Sequence, residues 1–211
     1  MKVFVLHLGS IGTNCYIFHA ENRKTCGIVD PGDTGERVVA WLMGRGLEPE
    51  AVLLTHGHFD HILGIPGLRK KWPYLPVYCH PADIGKGDTI QTFGQEYPTV
   101  HSFGNITPYR DDDVVNVAGC SLRVMETPGH TLGSVTLRVE NVLFTGDTLF
   151  AGSKGRTDLP GGSEDLIMSS LRRLYRLSGE YNVLPGHEGQ TTLKHERKNN
   201  YFMLKAMQEQ T

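Results

Sequence analysis

The stretch LLTHGHFDHILG, residues 53–64, places three histidines and one aspartate within six positions: His56, His58, Asp60 and His61. The stretch ends a short apolar run of the kind that forms a β-strand. In extended backbone, residues two apart face the same side, so His56 and His58 can converge on one metal ion. Asp60 and His61 lie beyond, where the chain must turn, and are directed elsewhere. The pattern therefore predicts that these four residues bind more than one metal ion.

Three further candidate ligands follow apolar strand patterns in the same way: His130 after TPG, Asp147 after a single glycine, and His187 after PG. Each is preceded by a glycine, which allows the sharp backbone bend that directs a ligand inward: Gly129, Gly146 and Gly186. Strand ends are rigid positions suited to functional side chains. The remaining histidines are predicted to be ordinary turn or cap residues: His7, His19, His80, His101 and His195.

Five imidazoles and two carboxylates suit zinc, iron or manganese, and the set contains no sulfur ligand. Two ions need roughly three protein ligands each and a shared group. We expect one ion at His56, His58 and His130, the other at Asp60, His61 and His187, and Asp147 as the bridge. A water between two metals about 3.5–4 Å apart becomes a hydroxide nucleophile. The set predicts a hydrolase in which Asp60 and Asp147 are the catalytic residues.

Composition excludes several function classes. The 211 residues, 39% of them hydrophobic, predict one globular domain spanning residues 1–211. A net charge of −2 gives no electrostatic case for nucleic acid or anionic membranes as partners. The amino terminus reads as a strand and a turn and lacks a signal-peptide pattern. The four scattered cysteines contain no CxxC pair, which favours reduced thiols and a cytoplasmic protein.

The pattern of apolar residues predicts a mixed fold with many strands and few helices. We expect strands at residues 2–8, 15–19, 25–30, 51–55, 77–79, 122–126, 134–139, 142–145 and 182–184. Thr34 can cap a helix closed by Gly44, Ser163 can cap a second, and residues 192–208 form a third. Residues 86–116 are polar and rich in glycine, which predicts a long surface loop.

The ligand segments also carry a family resemblance. THGHFDH, TPGHTLGS, FTGDTLF and LPGHEG occur in the order and approximate spacing of the metallo-β-lactamase-fold hydrolases, and the resemblance covers nearly the whole chain. It implies an α/β (α+β) four-layer αββα sandwich with two metals held by the same seven residues. In IVDPGD, Asp30 resembles an acidic residue that supports the metal-binding loop from behind the ligands. A simple turn-forming role before Pro31 is the alternative.

Within this superfamily the chain is most similar to the short bacterial glyoxalase II-like (hydroxyacylglutathione hydrolase) group. LFTGDTLFAGSKGRTDLPGG and LPGHEGQTTLKHERKNNYF carry this similarity. β-Lactamases of the fold commonly have a cysteine where Asp147 lies here, so the resemblance does not imply antibiotic hydrolysis. Processing nucleases of the fold have basic substrate arms, which this chain lacks. A thiolate leaving group departs without much help from a general acid, which suits a thioester substrate.

Three cations are candidates for substrate binding. The resemblance places Arg156 near the substrate's thiol portion; the alternative is that Arg156 and Asp158 tie down a glycine-rich loop. Arg197 and Lys198 could hold a substrate carboxylate or lie on a solvated helix face. Only 24 residues follow His187, whereas full glyoxalase II enzymes add a helical domain that recognises glutathione. The thiol specificity is therefore open.

Three hypotheses of function result. The favoured one is a dinuclear metal-dependent hydrolase. Zinc is the favoured metal, with iron or manganese as alternatives. It would cleave a small thioester such as S-lactoylglutathione by attack of a metal-bridging hydroxide. The second is a mononuclear iron persulfide dioxygenase using His56, His130 and Asp147. The third is a regulatory protein that binds metal without catalysis, which the intact ligand set disfavours.

Overall fold

Two six-stranded sheets form the centre of the protein, whose computed structural model describes residues 1–208. The first sheet has the order β1-β2-β3-β4-β5-β8. Its strands are β1 (Lys2–Leu8), β2 (Thr13–His19), β3 (Thr25–Val29), β4 (Glu48–Leu53), β5 (Val77–Cys79) and β8 (Thr107–Pro108). β1, β2 and β3 are antiparallel neighbours, whereas β3, β4, β5 and β8 are parallel.

The second sheet has the order β16-β15-β12-β11-β10-β9. Its strands are β9 (Val114–Val117), β10 (Cys120–Glu126), β11 (Val135–Val139), β12 (Val142–Gly146), β15 (Asn182–Pro185) and β16 (Thr191–Thr192). Only the β12–β15 pair is parallel. A small hairpin, β13 (Leu149–Phe150) and β14 (Ser153–Lys154), follows β12.

The inner faces of the sheets share one apolar core. Alternate residues of each strand point to the same face, so Tyr16, Phe18 and Leu53 of the first sheet meet residues of the second. Phe144 lies at the centre of this contact, with its ring centroid 5.3 Å from that of Tyr16 and 5.8 Å from that of Phe18. The ring is fully buried.

Helices cover both outer faces. α1 (Glu36–Met43), α2 (Phe59–Ile62) and α3 (Ile65–Lys71) bury their apolar side chains against the first sheet, and α4 (Pro81–Ile84) follows β5. α5 (Glu164–Tyr175), α6 (Leu193–Asn199) and α7 (Tyr201–Gln208) do so against the second. Three separate apolar cores therefore separate four layers, which confirms the expected αββα sandwich.

The four cysteines are buried free thiols, as expected. Within residues 1–208 no helix combines the length and apolar character of a membrane-spanning segment. The organisation as one domain over residues 1–211 stays a prediction, and its last three residues lie outside the described part.

The prediction of a long surface loop at residues 86–116 is wrong. The segment contains the hairpin β6 (Thr89–Thr92) and β7 (Gln95–Pro98), a 3₁₀ turn at Val100–Phe103, and strands β8 and β9. The sequence pattern missed the hairpin because β6 and β7 are largely exposed, so they show no alternation of apolar and polar residues.

Two helix boundaries also differ from expectation. α1 starts after Gly35, which has a left-handed backbone and provides no side-chain cap, so Thr34 is not the cap. The expected helix at 192–208 is two helices that meet at Asn200, whose side chain accepts from Met203 N and so caps the second. Ser163 caps α5 as expected, its Oγ accepting from Leu166 N at 3.4 Å.

We predict that Phe144→Ala lowers the free energy of unfolding by about 3–5 kcal/mol, because it leaves a cavity where the sheets meet. Urea denaturation followed by circular dichroism measures this loss. Val114→Ala, at a side chain that is 49% exposed in the same sheet, is the control and should change stability little. A loss below about 1 kcal/mol for Phe144→Ala would contradict this account of the core.

Candidate metal centre

All seven predicted ligands meet at one edge of the sandwich. Each lies just beyond a strand end: after β4, β10, β12 and β15. The ligand atoms form three groups, and within each group they lie within 4.8 Å of one another. The groups are His56–His58–His130, His56–His61–Asp147 and Asp60–His61–His187. The structure thus brings together the residues that the sequence separates by up to 131 positions (187 − 56).

Three imidazoles form one half of the centre. His58 Nδ1 lies 2.8 Å from His130 Nε2. The ring centroid of His56 is 4.8 Å from that of His58 and 4.8 Å from that of His130. His56 Nε2 is buried and has no hydrogen-bond partner among the described residues. This half offers three nitrogen donors, as the spacing of His56 and His58 predicts.

Two imidazoles and a carboxylate form the other half. His61 Nε2 lies 3.3 Å from His187 Nε2, and Asp60 Oδ2 lies 3.2 Å from His187 Nε2 and 3.6 Å from His61 Nε2. Asp60 and His61 belong to α2, which begins immediately after His58. Thr13 Oγ1 donates to Asp60 Oδ2 at 3.2 Å and orients that carboxylate.

Asp147 lies between the two halves. Its Oδ1 is 3.5 Å from His61 Nε2, and its Oδ2 is 3.5 Å from His130 Nε2 and 3.6 Å from His187 Nε2. Asp147 Oδ1 is buried without a hydrogen-bond partner in the described part of the chain. A carboxylate that reaches both sets of nitrogen donors fits the expected bridging position.

Hydrogen bonds behind the ligands set which imidazole nitrogen faces the centre. His130 Nδ1 lies 2.8 Å from the carbonyl oxygen of Arg156. A carbonyl oxygen can only accept, so Nδ1 carries the proton and the Nε2 lone pair faces the other ligands. The backbone of Arg156 therefore contributes to the centre independently of its charged side chain.

Asp30 orients one ligand of each half. Its Oδ1 accepts from Thr55 N at 2.8 Å, and its Oδ2 accepts from Thr55 Oγ1 at 2.6 Å. His61 Nδ1 lies 3.1 Å from Asp30 Oδ2, and His56 Nδ1 lies 3.2 Å from Thr55 Oγ1. Because the hydroxyl proton goes to Asp30, Thr55 Oγ1 accepts from His56 Nδ1, so Nε2 of both imidazoles faces the centre. These contacts fit the supporting role for Asp30 rather than a turn-forming role alone.

The electrostatics differ between the two halves. Burial, together with the neighbouring imidazoles, lowers the pKa of His56, and burial with His130 lowers the pKa of His58 to about 4. Burial would also lower the pKa of His61, but the carboxylates of Asp60 and Asp147 outweigh it and raise that pKa to about 10. His56 and His58 are thus neutral and can donate their lone pairs, whereas His61 in the second half holds a proton that the nearby carboxylates stabilise.

The pKa values of Asp60 and His187 are also set by their charged neighbours rather than by burial. Burial favours the neutral form of Asp60, but His61 and His187 outweigh it and hold the pKa of this carboxyl below its usual range. Burial would lower the pKa of His187, but the carboxylates of Asp60 and Asp147 outweigh this effect and raise the pKa. In a group of buried acids and bases this close, bound divalent cations would replace the mutual compensation of protons and carboxylates.

The residues fit a metal pair. The donors are imidazole nitrogens and carboxylate oxygens, and two of them are the buried unpaired atoms His56 Nε2 and Asp147 Oδ1. Gly186 packs against two of the candidate ligands, Asp147 and His61. A Cβ atom at this position would lie 2.3 Å from Asp147 Oδ1 and 2.8 Å from His61 Cε1. Only glycine is compatible with ligands packed this closely.

Asp83 supports the centre, although the sequence did not predict this role. Asp83 Oδ2 accepts from Gly57 N at 2.9 Å and from Thr131 Oγ1 at 2.6 Å, and Oδ1 accepts from Gly133 N at 2.8 Å. It thereby ties the loop of His56 and His58 to the loop of His130. Nothing around residue 83 in the sequence indicates this role, because all its partners are distant in the chain.

Asn14 supports the loop that carries His187, and it too was missed. Its Nδ2 donates to Pro185 O at 2.9 Å and to Glu188 O at 3.0 Å, while Tyr16 OH donates to Pro185 O at 2.8 Å. Both side chains come from β2 of the opposite sheet. The loop after β15 is therefore held by the first sheet and not only by its own.

The three candidate substrate-binding cations are placed differently from one another. Arg156 lines the cavity over the centre, with Nε and one terminal nitrogen each 2.7 Å from an oxygen of Asp158. Arg197 lies outside that cavity and donates to carbonyl oxygens of the turn after α5, among them those of Tyr175 and Gly179. Lys198 is exposed on α6, also outside the cavity. The structure thus brings only Arg156 to the site.

Comparison with known proteins agrees with this geometry. Residues 8–187 match the model of the metallo-β-lactamase superfamily. The probable metallo-hydrolase YqgX of Bacillus subtilis (strain 168) is 34% identical over 215 residues, which cover 96% of this chain and 98% of the relative. A hydroxyacylglutathione hydrolase of Hamiltonella defensa is 33% identical over 87% of this chain, and the match spans 66% of that longer enzyme.

Two solved structures are similar over nearly their whole length. The BLEG-1 B3 metallo-β-lactamase has a TM-score of 0.84 and 32% identity, covering 96% of this chain and 99% of its own. TTHA1623, solved in a di-iron-bound form, has a TM-score of 0.76 and 32% identity, covering 94% of this chain and 99% of its own.

We predict that Thr55→Val weakens metal binding about 10- to 100-fold, because it removes the hydroxyl that links Asp30 to His56 while keeping the side-chain shape. Titration against a chromogenic chelator measures the affinity. Thr136→Val is the matched control, since it removes a buried hydroxyl 3.1 Å from Thr127 Oγ1, away from the ligands. Equal affinities for the two variants would contradict the assigned role of Thr55.

We also predict that affinity at the His61 half rises with pH. With its pKa raised to about 10, metal-free His61 is protonated at neutral pH, and an ion must displace the proton from Nε2. Below this pKa the logarithm of the affinity should rise by about one unit per pH unit, over roughly pH 6 to 8. Calorimetry in buffers of different ionisation enthalpy measures the released proton. A pH-independent affinity with no proton release would oppose this assignment.

Proposed function

The chain belongs to the metallo-β-lactamase superfamily, and on this basis we propose that it is a dinuclear metal-dependent hydrolase of small thioesters. The observation that carries the proposal is the position of Asp147, whose carboxylate contacts the ligand nitrogens of both halves of the centre. The similarity to a hydroxyacylglutathione hydrolase supports the thioester class. S-Lactoylglutathione is accordingly the reference substrate.

His56, His58 and His130 would hold one ion, Asp60, His61 and His187 the other, and Asp147 would hold both. We propose zinc as the metal, with iron or manganese as alternatives; the di-iron form of TTHA1623 supports the iron alternative. When bound, the pair supplies a water of lowered pKa as nucleophile and polarises the acyl carbonyl. Asp30 and Thr55 keep the imidazoles oriented for this arrangement.

The chain's own groups suit a thioester better than an amide. An amine leaving group needs a proton, whereas a thiolate leaves largely unaided. Asp60 remains ionised at neutral pH because its pKa is lowered, so it acts as a ligand and not as a proton donor. The four buried free cysteines suit a reducing compartment, and we extend the proposal to a cytoplasmic location.

The test is a metal count combined with three assays on the purified protein. We expect about two ions per chain, measured by emission spectrometry, together with hydrolysis of S-lactoylglutathione. Oxygen uptake with glutathione persulfide and hydrolysis of a β-lactam are measured in parallel. About one iron per chain with oxygen uptake and no hydrolysis would replace the proposal by the dioxygenase alternative. β-Lactam cleavage without thioester cleavage would also overturn it.

Asp147→Ala should abolish hydrolysis and reduce the metal content to at most one ion per chain, because both halves lose a shared ligand. Metal analysis and the thioester assay are run on the same preparation. Asp165→Ala, at an exposed carboxylate in the first turn of α5, is the control and should keep both ions. An active Asp147→Ala variant with two ions would exclude the bridging role.

A further inference from the structure

The cavity over the metal centre has mostly apolar walls. It has a volume of about 430 Å³ and contains His58, Asp60, His130, Asp147 and His187 at its base. Its apolar lining comes from five side chains on separate segments: Ile11, Phe59, Phe93, Phe150 and Leu159. A substrate bound to the centre must therefore contact these side chains.

The cavity has no unpaired cation to offer a charged substrate. Among its described lining residues, only Lys154 and Arg156 are lysine or arginine. Lys154 Nζ lies 2.8 Å from Glu164 Oε2, and Arg156 forms the two-bond pair with Asp158. A glutathione thioester carries two carboxylates, and their desolvation here would lack a positively charged partner.

A second cavity adjoins the first and likewise offers no unpaired cation among its described lining residues. It has a volume of about 170 Å³ and shares His58, Phe59, Thr92 and Leu159 with the larger cavity. Its walls contain Ile90, Leu132 and Pro160, and no lysine or arginine is among its described lining residues. Its one carboxylate, Asp83, is fully engaged in the loop contacts described above. Neither cavity therefore offers an unpaired cation to a substituent of a thioester carbonyl, and the exposed carboxylate Glu188 in the larger cavity is unfavourable for an anionic substituent.

Phe93 is held at the cavity mouth in an unfavourable conformation. It and Gly94 form the two-residue loop between Thr92 and Gln95, with φ of 50° and 73°. Loops with two positive φ angles favour Asn-Gly, whereas a bulky side chain at the first position is strained. The ring is nevertheless 61% exposed, so the strain is not offset by burial in the protein itself.

The hairpin that presents Phe93 is fastened to the metal centre. Tyr97 of β7 stacks on Phe59, with ring centroids 3.9 Å apart and an interplanar angle of 17°. Phe59 begins α2, the helix that carries Asp60 and His61. The guanidinium carbon of Arg156 lies 5.6 Å from the Phe93 ring centroid on the other side. A strained, exposed aromatic ring held this firmly beside a cavity indicates a contact with ligand.

We propose that this site takes thioesters whose two substituents are uncharged, the larger one being an aromatic or alkyl thiol portion that packs on Phe93. Phe93 is thus a specificity-determining residue, and the inference rests on the proposed thioester hydrolysis. Burial of the apolar thiol portion provides binding free energy that a tripeptide with two carboxylates cannot obtain here.

The first experiment compares two substrates with the metal-loaded protein. The lactoyl thioesters of benzyl mercaptan and of glutathione have the same acyl group and both release an alkyl thiolate, so they differ chiefly in the charge and polarity of the thiol portion. We expect kcat/KM to be at least about ten-fold higher for the benzyl thioester than for the glutathione thioester, mainly through a lower KM. Equal or higher kcat/KM for the glutathione ester would overturn the inference and leave the proposed function standing. Hydrolysis of neither ester would overturn both.

The second experiment tests Phe93 itself. Phe93→Asn introduces a residue that the loop conformation favours, so the hairpin should be retained. We expect kcat/KM for the benzyl ester to fall about ten-fold through KM, with little change for the glutathione ester. Tyr74→Asn is the matched control, because Tyr74 is an aromatic residue with 97% exposure outside both cavities.

A binding measurement separates contact from catalysis. The thioether analogue of the benzyl ester, in which the carbonyl is a methylene group, cannot be hydrolysed. Calorimetry should show about ten-fold weaker binding of this analogue to Phe93→Asn and unchanged binding to Tyr74→Asn. Unchanged affinity and an unchanged ratio of the two kcat/KM values in Phe93→Asn would overturn the role of Phe93.

Discussion

The centre depends on one buried carboxylate that orients two imidazoles. Asp30 follows β3 with φ of 51°, accepts from the backbone and the hydroxyl of Thr55, and lies 3.1 Å from His61 Nδ1. A buried charge must have such partners to be tolerated. Because Thr55 Oγ1 donates to Asp30 and accepts from His56 Nδ1, this carboxylate orients His56 as well as His61, one imidazole in each half of the centre.

Both sheets contribute to the site, which explains why it lies at their common edge. His56 to His61 follow a strand of the first sheet, whereas the other ligands follow strands of the second. Hydrogen bonds cross between these loops: Asp83 joins the first to the loop of His130, and Asn14 holds the loop of His187. The packed apolar core between the sheets keeps these loops in register, so packing and ligand geometry are linked.

The cavity over the candidate metal centre has walls from different parts of the chain than the candidate ligands. The hairpin at residues 89–98, the loop of Leu159 and the residue Ile11 supply its apolar surface. Its two cations are neutralised by acids close in sequence, Asp158 and Glu164. The same fold can thus keep a complete metal centre while the surrounding loops change what the cavity accepts.

The sequence alone indicated a mixed class with many strands and the seven candidate ligands, because strand periodicity and the spacing of HGHFDH are local properties of the chain, while the family resemblance implied the αββα arrangement. The sequence also indicated the cap at Ser163 and the bends at Gly129 and Gly146, which have positive φ angles. Only the tertiary structure decided the remaining features. The supporting contacts of Asp83 and Asn14 reach residues far away in the sequence, and Thr55 accepts a hydrogen bond from the imidazole of His56. Arg197 donates to backbone carbonyl oxygens, which no sequence pattern indicates. The hairpin that carries Phe93 is too exposed to show an alternation of apolar and polar residues. Long-range hydrogen bonds and packing leave no local pattern, and this is the physical reason that the supporting groups and the substrate cavity could be found only in the folded protein.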